Sequence, residues 1–222
     1  MSPLVKNEPL IDAVLFDFGG VVTTSPFEAF SRYETEIGAP TDSIRRINST
    51  NPNNNAWAKM EKSEVDISEF CELFEAEAAD FGLELSGQKV LECLSGNVRP
   101  EMVRALEILK QRVRIGCITN NMKSGHGAGM ARTSEQAASV AQIMEMFEVV
   151  VESAKVGLRK PDVRIYELAC SELGVDPRNC AYLDDLGINC KPAANLGMVA
   201  IKVVDPQVAL DDLERVVGFS LR

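Results

Sequence analysis

The stretch Ala13-Val14-Leu15-Phe16-Asp17-Phe18-Gly19-Gly20-Val21-Val22 decides the fold of this chain. Residues 11–16 have the length and the Val, Leu and Phe content of a strand buried on both faces, and this run ends on Asp17. Ligands of open α/β sheets bind beyond the carboxyl ends of the strands, so we expect Asp17 at the mouth of a site. The two glycines after it allow close approach of the backbone to a ligand or metal. Such a carboxylate can coordinate a hard cation, attack an electrophile, or simply end the strand and cap the next turn.

Composition and charge exclude several classes of protein. The chain has 222 residues, enough for one or two domains, and a formal net charge of −10. This charge argues against nucleic acid or an anionic membrane as partner, although a metal and a few local cations still allow a phosphorylated small molecule. No apolar run reaches membrane-spanning length, and residues 1–9 lack a signal-peptide core. The six cysteines form no C-x-x-C pair, so we expect free thiols in a cytoplasmic protein. The sequence leaves a homo-oligomer possible.

The sequence offers almost no histidine for a metal site or a catalytic triad. His126 is the one histidine, and it lies among glycines in residues 124–129. A zinc site built from several histidines is therefore excluded, and a catalytic triad would have to use this one residue. The glycine pattern also lacks the spacing of a dinucleotide-binding loop. We interpret the Gly125–Gly129 segment as a surface loop.

From Thr23 to Ser95 the spacing of apolar residues is helical. A stripe between Ile67 and Phe81 recurs at intervals of three and four residues, preceded by Asp66 and Glu69 in the pattern of a capping box. The residues 48–55 are rich in asparagine and are interpreted as a solvated loop, with a substrate-facing rim as the alternative. The other helices predicted in this part are Phe27–Ile37, Asp42–Ile47, Ala56–Glu61 and Gln88–Leu94.

After Pro100 strands and helices alternate, which predicts a parallel sheet covered by helices on both faces. The predicted fold is α/β: a Rossmann-like core of residues 1–22 and 96–222, with residues 23–95 inserted as a helical cap domain. Strands are predicted at Val113–Ile118, Glu148–Val151, Cys180–Leu183 and Met198–Val204. Helices are predicted at Glu101–Lys110, Glu135–Phe147, Pro161–Leu173 and Gln207–Val217.

Polar side chains follow several of these strands, and we expect them to meet at one edge of the sheet. Carboxylates that converge repel one another unless a cation holds them, which predicts Mg²⁺ with oxygen ligands. A hydroxyl, an amide and an ammonium beside that metal would suit a phosphoryl group. Taken singly, an acid pair is usually a solvated turn, and a Lys-Pro pair usually only begins a helix. The residues concerned are Asp17, Thr119, Asn120, Lys160, Asp184 and Asp185.

The order of these motifs resembles the haloacid dehalogenase-like hydrolases over essentially the whole chain. The four motifs of that family correspond to Asp17–Val22, Ile118–Asn121, Lys160-Pro161 and Leu183–Asn189. Within that family, the chain more closely resembles the N-terminal phosphatase domain of soluble epoxide hydrolases and the corresponding domain of some acyl-CoA dehydrogenase fusion proteins. This closer likeness is carried by Phe147–Ser153, Val156–Pro161, Tyr182–Gly187 and Lys191–Met198.

The resemblance implies an Mg²⁺-dependent phosphatase acting on a small phosphorylated metabolite, with Asp17 as a nucleophile that forms an aspartyl-phosphate. The helical cap would close over the site and select the substrate. The resemblance also implies that Thr119 and Asn120 bind phosphoryl oxygens and that Lys160 neutralises charge on the nucleophile and the phosphoryl group. The metal would be held by Asp17, the Gly19 carbonyl and Asp185, with Asp184 as a further ligand or a support.

Gly19 departs from the family pattern, because phosphatases of this superfamily usually carry there a second aspartate that acts as general acid and base. Losing this group would cost about 10²–10⁴-fold in rate. We therefore expect a substrate with a good leaving group, such as an anomeric, acyl or aryl phosphate. Otherwise a proton donor could come from Thr23 or from a cap carboxylate such as Glu28. Alternatively, the chain could be a phosphate-binding protein without turnover, or a dehalogenase-type hydrolase, although dehalogenases of the family do not require the metal cluster.

Overall fold

The computed structural model describes residues 11–121 and 133–222, so the predicted loop around His126 lies outside the described residues. The strands are β1 Ala13–Phe16, β2 Arg114–Thr119, β3 Val149–Glu152, β4 Cys180–Asp184 and β5 Val199–Lys202. They form one five-stranded sheet in the order β3-β2-β1-β4-β5, and all neighbouring pairs are parallel. The predicted parallel α/β sheet is confirmed.

Helices lie between the strands and after the last one, as the alternation predicted. Short turns at Phe18–Val22 and Pro177–Asn179 complete the described elements. The helices are α1 Pro26–Glu36, α2 Ser43–Ser49, α3 Ala56–Glu61, α4 Ile67–Asp80, α5 Gly87–Glu92, α6 Pro100–Leu109, α7 Ser134–Met144, α8 Ser153–Val156, α9 Val163–Leu173, α10 Gly187–Asn195 and α11 Pro206–Val217.

Strand β1 lies at the centre of the sheet, and all four of its side chains are 0% exposed. Side chains alternate between the two faces of a strand, so Val14 and Phe16 pack with α6 and α11, whereas Ala13 and Leu15 pack with α9. A strand buried on both faces has to be apolar throughout, which is why this run was readable in the sequence.

The helices α1–α5 surround a hydrophobic cluster of their own, separate from the two faces of the sheet. Aromatic rings connect α1, α3 and α4 through Phe30, Trp57 and Phe70. The predicted capping box at the start of α4 is present, since Asp66 and Glu69 accept each other's backbone N–H groups. These helices are the segment predicted as a cap, and both its role as a cap and the division of the chain at residues 23 and 96 stay predictions.

Two helices were missed by the sequence analysis. Helix α8 follows β3 without a break and has only four residues, too few to show a helical repeat. Helix α10 contains Pro192 and has no clear apolar stripe, so its sequence carries little signal. Helix α10 follows β4 closely and positions a residue at the site, since Asn189 Nδ2 donates to Asp184 Oδ1.

In the part of the chain that the structure describes, no helix has the length and apolar content needed to cross a membrane. All six cysteines are free thiols, as expected from their spacing.

Gly116 shows how closely α9 packs on the sheet. A Cβ at this position would lie 2.7 Å from Leu15 Cδ2 and 2.9 Å from Leu173 Cδ1. We expect Gly116→Ala to lower the free energy of unfolding by about 1–3 kcal/mol, because both leucines are fully buried and must move. Urea unfolding followed by circular dichroism measures this loss.

Gly187 provides the matched control, since a Cβ there would meet nothing closer than 3.9 Å. In the first turn of a helix, Gly187→Ala should leave stability unchanged or raise it by up to about 1 kcal/mol. Equal destabilisation by the two variants would contradict this account of the packing.

Candidate active site

The carboxyl ends of β1, β2 and β4 bring the predicted polar residues to one edge of the sheet. The backbone N–H of Asp17 donates to Leu183 O at 2.8 Å, so β1 and β4 remain joined up to the point where their carboxylates begin. Asp17, Thr119 and Asp184 are 7%, 3% and 0% exposed. The parallel pairing therefore places buried polar groups side by side, as the sequence predicted.

Lys160 lies at the centre of this group and is 1% exposed. Its Nζ is 2.7 Å from Asp17 Oδ1 and 2.9 Å from Asp184 Oδ2. Burial alone would lower the pKa of Lys160, but the two carboxylates outweigh it and raise the pKa above its ordinary value. The two carboxylates therefore favour the charged form of the ammonium.

Asn120 holds the backbone of Lys160 from both sides. Its Oδ1 accepts from Lys160 N at 2.9 Å, and its Nδ2 donates to Lys160 O at 3.1 Å. The amide predicted to bind phosphate is thus engaged with the loop that carries the ammonium. This contact makes Asn120 a positioning group for Lys160.

Asp184 is surrounded by donors. Besides Lys160, it accepts from the Tyr182 hydroxyl at 2.5 Å, from Leu186 N at 2.8 Å and from Asn189 Nδ2 at 3.1 Å. Asn189 lies on α10, one of the helices missed by the sequence analysis. Asp184 is thus held in place by the elements around it.

Asp185 is more accessible than Asp184, and its Oδ2 accepts from Ser25 Oγ at 2.8 Å. Ser25 precedes α1, so the acid pair after β4 also contacts the beginning of the cap. Burial, then repulsion from Asp184, raises the pKa of Asp185.

The first motif also supports the interpretation of Asp17 as a turn cap, since its Oδ1 accepts from Phe18 N at 2.7 Å. This contact coexists with the ion pair to Lys160. The pKa of Asp17 is raised well above its ordinary value by burial, against the opposing effect of Lys160, and Asp184 and Asp185 raise it further. A buried carboxylate whose pKa is raised beside specific charged partners is typical of a functional site.

The two glycines after Asp17 differ in their surroundings. Gly20 has φ +82°, and a Cβ there would lie 2.2 Å from Asp185 Oδ2. Gly19 has an ordinary extended backbone, and a Cβ there would meet nothing within 4 Å. The close approach expected of both glycines is required only at Gly20.

A metal ion fits the three carboxylates. One oxygen from each of Asp17, Asp184 and Asp185 lies within 4.8 Å of the others. Burial raises the pKa of Asp17 and of Asp185, and repulsion from the neighbouring aspartates raises both further. A divalent cation would relieve that repulsion. An all-oxygen donor set of this kind suits a hard cation.

The cap contributes a carboxylate that the sequence analysis missed. Glu61, the last residue of α3, is 7% exposed. Its Oε2 lies 2.6 Å from Arg159 Nε and 3.4 Å from Asn120 Nδ2. Arg159 also donates to Pro52 O at 2.7 Å, so the asparagine-rich loop touches the core although Asn51–Asn54 are exposed. Nothing in the sequence near Glu61 marks it, because its place depends on how the cap docks.

The proton donors considered from the sequence lie elsewhere. The Thr23 hydroxyl is directed at Thr24 O, 3.4 Å away, where an isolated bridge joins Thr23 to Val98. Glu28 is exposed on α1. Within the described residues, no hydrogen bond or ion pair joins either residue to Asp17 or Lys160.

A family model described as haloacid dehalogenase-like hydrolase matches residues 11–197. The chain belongs to this family of hydrolases. The resemblance found in the motifs is thereby confirmed, and this hydrolase carries the four motifs at one edge of its sheet.

Several curated proteins are similar to this hydrolase. Acyl-CoA dehydrogenase family member 10 of Mus musculus is 30% identical over 94% of this chain and 19% of its own length. Bifunctional epoxide hydrolase 2 of Sus scrofa is 28% identical over 94% of this chain and 39% of its own length. The chain thus spans well under half of these two relatives. Phosphatase MT3486 of Mycobacterium tuberculosis is 25% identical to this chain, over 87% of this chain and 87% of its own length.

Solved structures share the fold. An enzyme of the family from Bacteroides thetaiotaomicron, an Asp-to-Ala mutant in complex with magnesium and inorganic phosphate, has a TM-score of 0.56 and 17% identity, covering 86% of this chain and 93% of that one. A dehalogenase with an intermediate complex has a TM-score of 0.64 and 15% identity, covering 94% and 98%. At these identities the likeness establishes the architecture alone.

The two glycines of the first motif allow a direct test of the site geometry. We expect Gly20→Ala to lower the free energy of unfolding by about 1–3 kcal/mol, because the new Cβ is strained at positive φ and overlaps Asp185. Gly19→Ala should unfold like the parent chain. Urea unfolding in a chelating buffer measures both, and a loss at Gly19 as large as that at Gly20 would contradict the geometry.

Proposed function

We propose that this hydrolase is an Mg²⁺-dependent phosphatase that acts on a small phosphorylated metabolite through an aspartyl-phosphate at Asp17. The observation that carries the proposal is the buried Lys160 ammonium 2.7 Å from Asp17 Oδ1, beside two further aspartates. A cation of this kind orients the carboxylate and balances charge as phosphoryl oxygens enter. The relative named Phosphatase MT3486 and the magnesium and phosphate complex of a structural neighbour support the same reaction class.

Each residue of the site has a part in this reaction. The free oxygen of Asp17 attacks phosphorus, and Lys160 neutralises charge on the nucleophile and on the phosphoryl group. The Thr119 hydroxyl binds a phosphoryl oxygen, and Asn120 holds the Lys160 loop in register while it faces the same group. Water then attacks the aspartyl-phosphate, which releases phosphate and restores the carboxylate.

The metal would be held by Asp17, the Gly19 carbonyl and Asp185, with Asp184 as a further ligand or as a support for Lys160. When bound, Mg²⁺ supplies positive charge that offsets the negative charge of the phosphoryl oxygens. Asp185 keeps its oxygen oriented through Ser25, and Gly20 leaves the room that Asp185 needs.

Magnesium should stabilise the folded protein. Binding to the native state alone raises the melting temperature, by an amount that grows with the metal concentration. In Asp185→Asn this shift should shrink or vanish, whereas Asp205→Asn, at the exposed cap of α11, should keep it because asparagine caps equally well. Differential scanning calorimetry measures the effect, and a parent melting curve unmoved by saturating Mg²⁺ would exclude the metal site.

Asp17→Asn should fold and lose turnover. It keeps the size of the side chain and removes the attacking charge, so release of phosphate from 4-nitrophenyl phosphate should fall to the assay background. Circular dichroism controls for folding, and Asp205→Asn should retain parent activity. More than a few per cent of activity in purified Asp17→Asn would exclude the covalent mechanism.

Dehalogenation is tested in the same preparation by measuring halide release from 2-haloacids. We expect none, because the aspartate trio with its buried lysine is suited to a cation and a phosphoryl group. Halide release without phosphatase activity would contradict the proposed function and indicate a dehalogenase-type hydrolase. Gly19 leaves two possibilities, a substrate with a good leaving group or a proton donor from another element, and the contacts of the cap favour the second.

A further inference from the structure

The proposed phosphatase reaction needs a proton donor that the first motif does not provide. The departing alkoxide of an alkyl phosphate is strongly basic, so charge accumulates on its oxygen unless an acid protonates it. Gly19 has no side chain, and a Cβ there would meet nothing within 4 Å. The space beside the nucleophile is therefore open to a group from another element.

The other buried glutamates of the described residues are already engaged. Glu34 accepts two backbone N–H groups within the cap, at 2.8 and 2.9 Å. Glu152 accepts from Asn121 Nδ2 and pairs with Lys155. Glu61 differs from both, because besides its ion pair with Arg159 at 2.6 Å it contacts a residue of the site, Asn120.

Glu61 lies where the cap meets the site. A continuous series of contacts leads from it to the nucleophile: Glu61 Oε2 to Asn120 Nδ2 at 3.4 Å, Asn120 to the backbone of Lys160, and Lys160 Nζ to Asp17 Oδ1 at 2.7 Å. The leaving group of a phosphate bound at Asp17 has to point away from the carboxylate that attacks in line. Glu61 contacts Asn120 from the cap, and this contact makes it the cap carboxylate that we consider for the leaving oxygen.

The electrostatic surroundings of Glu61 also fit an acid. Burial raises its pKa, against the opposing effects of Arg159, Lys160 and a hydrogen bond from Trp57. A phosphate dianion bound nearby would repel an ionised carboxylate and so favour its protonated form further. Protonated, Glu61 is a neutral hydrogen-bond donor, which a phosphate ester binds more readily than a second anion.

We propose that Glu61 is the general acid and base of this hydrolase and performs from the cap the task of the aspartate that Gly19 replaces. This inference rests on the proposed phosphatase function. In the first step Asp17 forms its bond to phosphorus, the bond from phosphorus to the leaving oxygen breaks, and the proton of Glu61 passes to that oxygen. In the second step ionised Glu61 takes a proton from water, whose oxygen attacks phosphorus as the bond to Asp17 breaks. Phosphate leaves, and both carboxyl groups return to their starting states.

The test compares two substrates in Glu61→Gln. Removing an acid affects 4-nitrophenyl phosphate little, because its leaving group is a weak base, whereas hydrolysis of ethyl phosphate needs the proton. We expect kcat for ethyl phosphate to fall about 10²–10⁴-fold and kcat for 4-nitrophenyl phosphate to fall less than about tenfold. Glu28→Gln, the exposed carboxylate on α1, should match the parent on both substrates.

A second variant tests whether the lost function is proton donation. Because position 19 has room for a side chain, Gly19→Asp in the Glu61→Gln background should restore hydrolysis of ethyl phosphate by at least about tenfold. Glu61→Asp, which keeps the charge but withdraws the carboxylate by one methylene, should show the same selective loss and replaces Glu61→Gln if that variant does not fold.

The outcomes separate the two proposals. Equal losses on both substrates in Glu61→Gln would overturn the acid–base assignment and leave Glu61 as a support for Asn120 and Arg159. Unchanged hydrolysis of ethyl phosphate would overturn it as well. If the parent chain has no phosphatase activity, or if its activity does not depend on Asp17, the proposed function on which the assignment rests is overturned instead.

Discussion

The site depends on one buried cation, the ammonium of Lys160. A charged group that is 1% exposed is stable only if opposite charges surround it, and here Asp17 and Asp184 do so at 2.7 and 2.9 Å. Removing one partner leaves the other carboxylate beside the ammonium, whereas removing both would leave a buried charge uncompensated, at a cost of about 3–5 kcal/mol. The same constraint acts on the carboxylates, because Asp17, Asp184 and Asp185 repel one another and tolerate their proximity only with positive charge among them.

The sheet makes this arrangement possible, and the loops then refine it. Parallel pairing of β1 with β4, in the register Phe16 with Leu183, brings Asp17 and Asp184 to neighbouring strand ends. Lys160 comes from the segment before α9, and the Asn120 amide holds its backbone on both sides. The rigid part of the site thus comes from the strands, whereas the position of the cation depends on two hydrogen bonds from the end of β2.

The sequence predicted those features that have a local cause. A strand buried on both faces must be apolar, and helices α1 and α4 repeat their apolar residues on one face, so their positions were readable within a few residues. The short helix α8 and the proline-containing α10 have no such repeat. Asn120 was assigned to phosphate from the motif, whereas its contact with Lys160 depends on loop geometry. The place of Glu61 in the site could not be predicted at all, because it depends on the docking of the cap against Arg159 and no residue near Glu61 in sequence indicates that docking.

A proton donor on the cap would link chemistry to cap closure. Arg159 belongs to the core and reaches both Glu61 and the Pro52 carbonyl, so the contacts that hold the cap also fix the proposed acid. With an aspartate at position 19, the donor would be part of the core and present in every state of the cap. With Glu61 as the donor, protonation of the leaving group would require α3 to be docked on Arg159, and a cap docked in this way would also exclude water from the first step. Substrate selection and proton transfer would then depend on the same interface, and a substrate that prevents docking of α3 would lose its proton donor as well as its binding contacts.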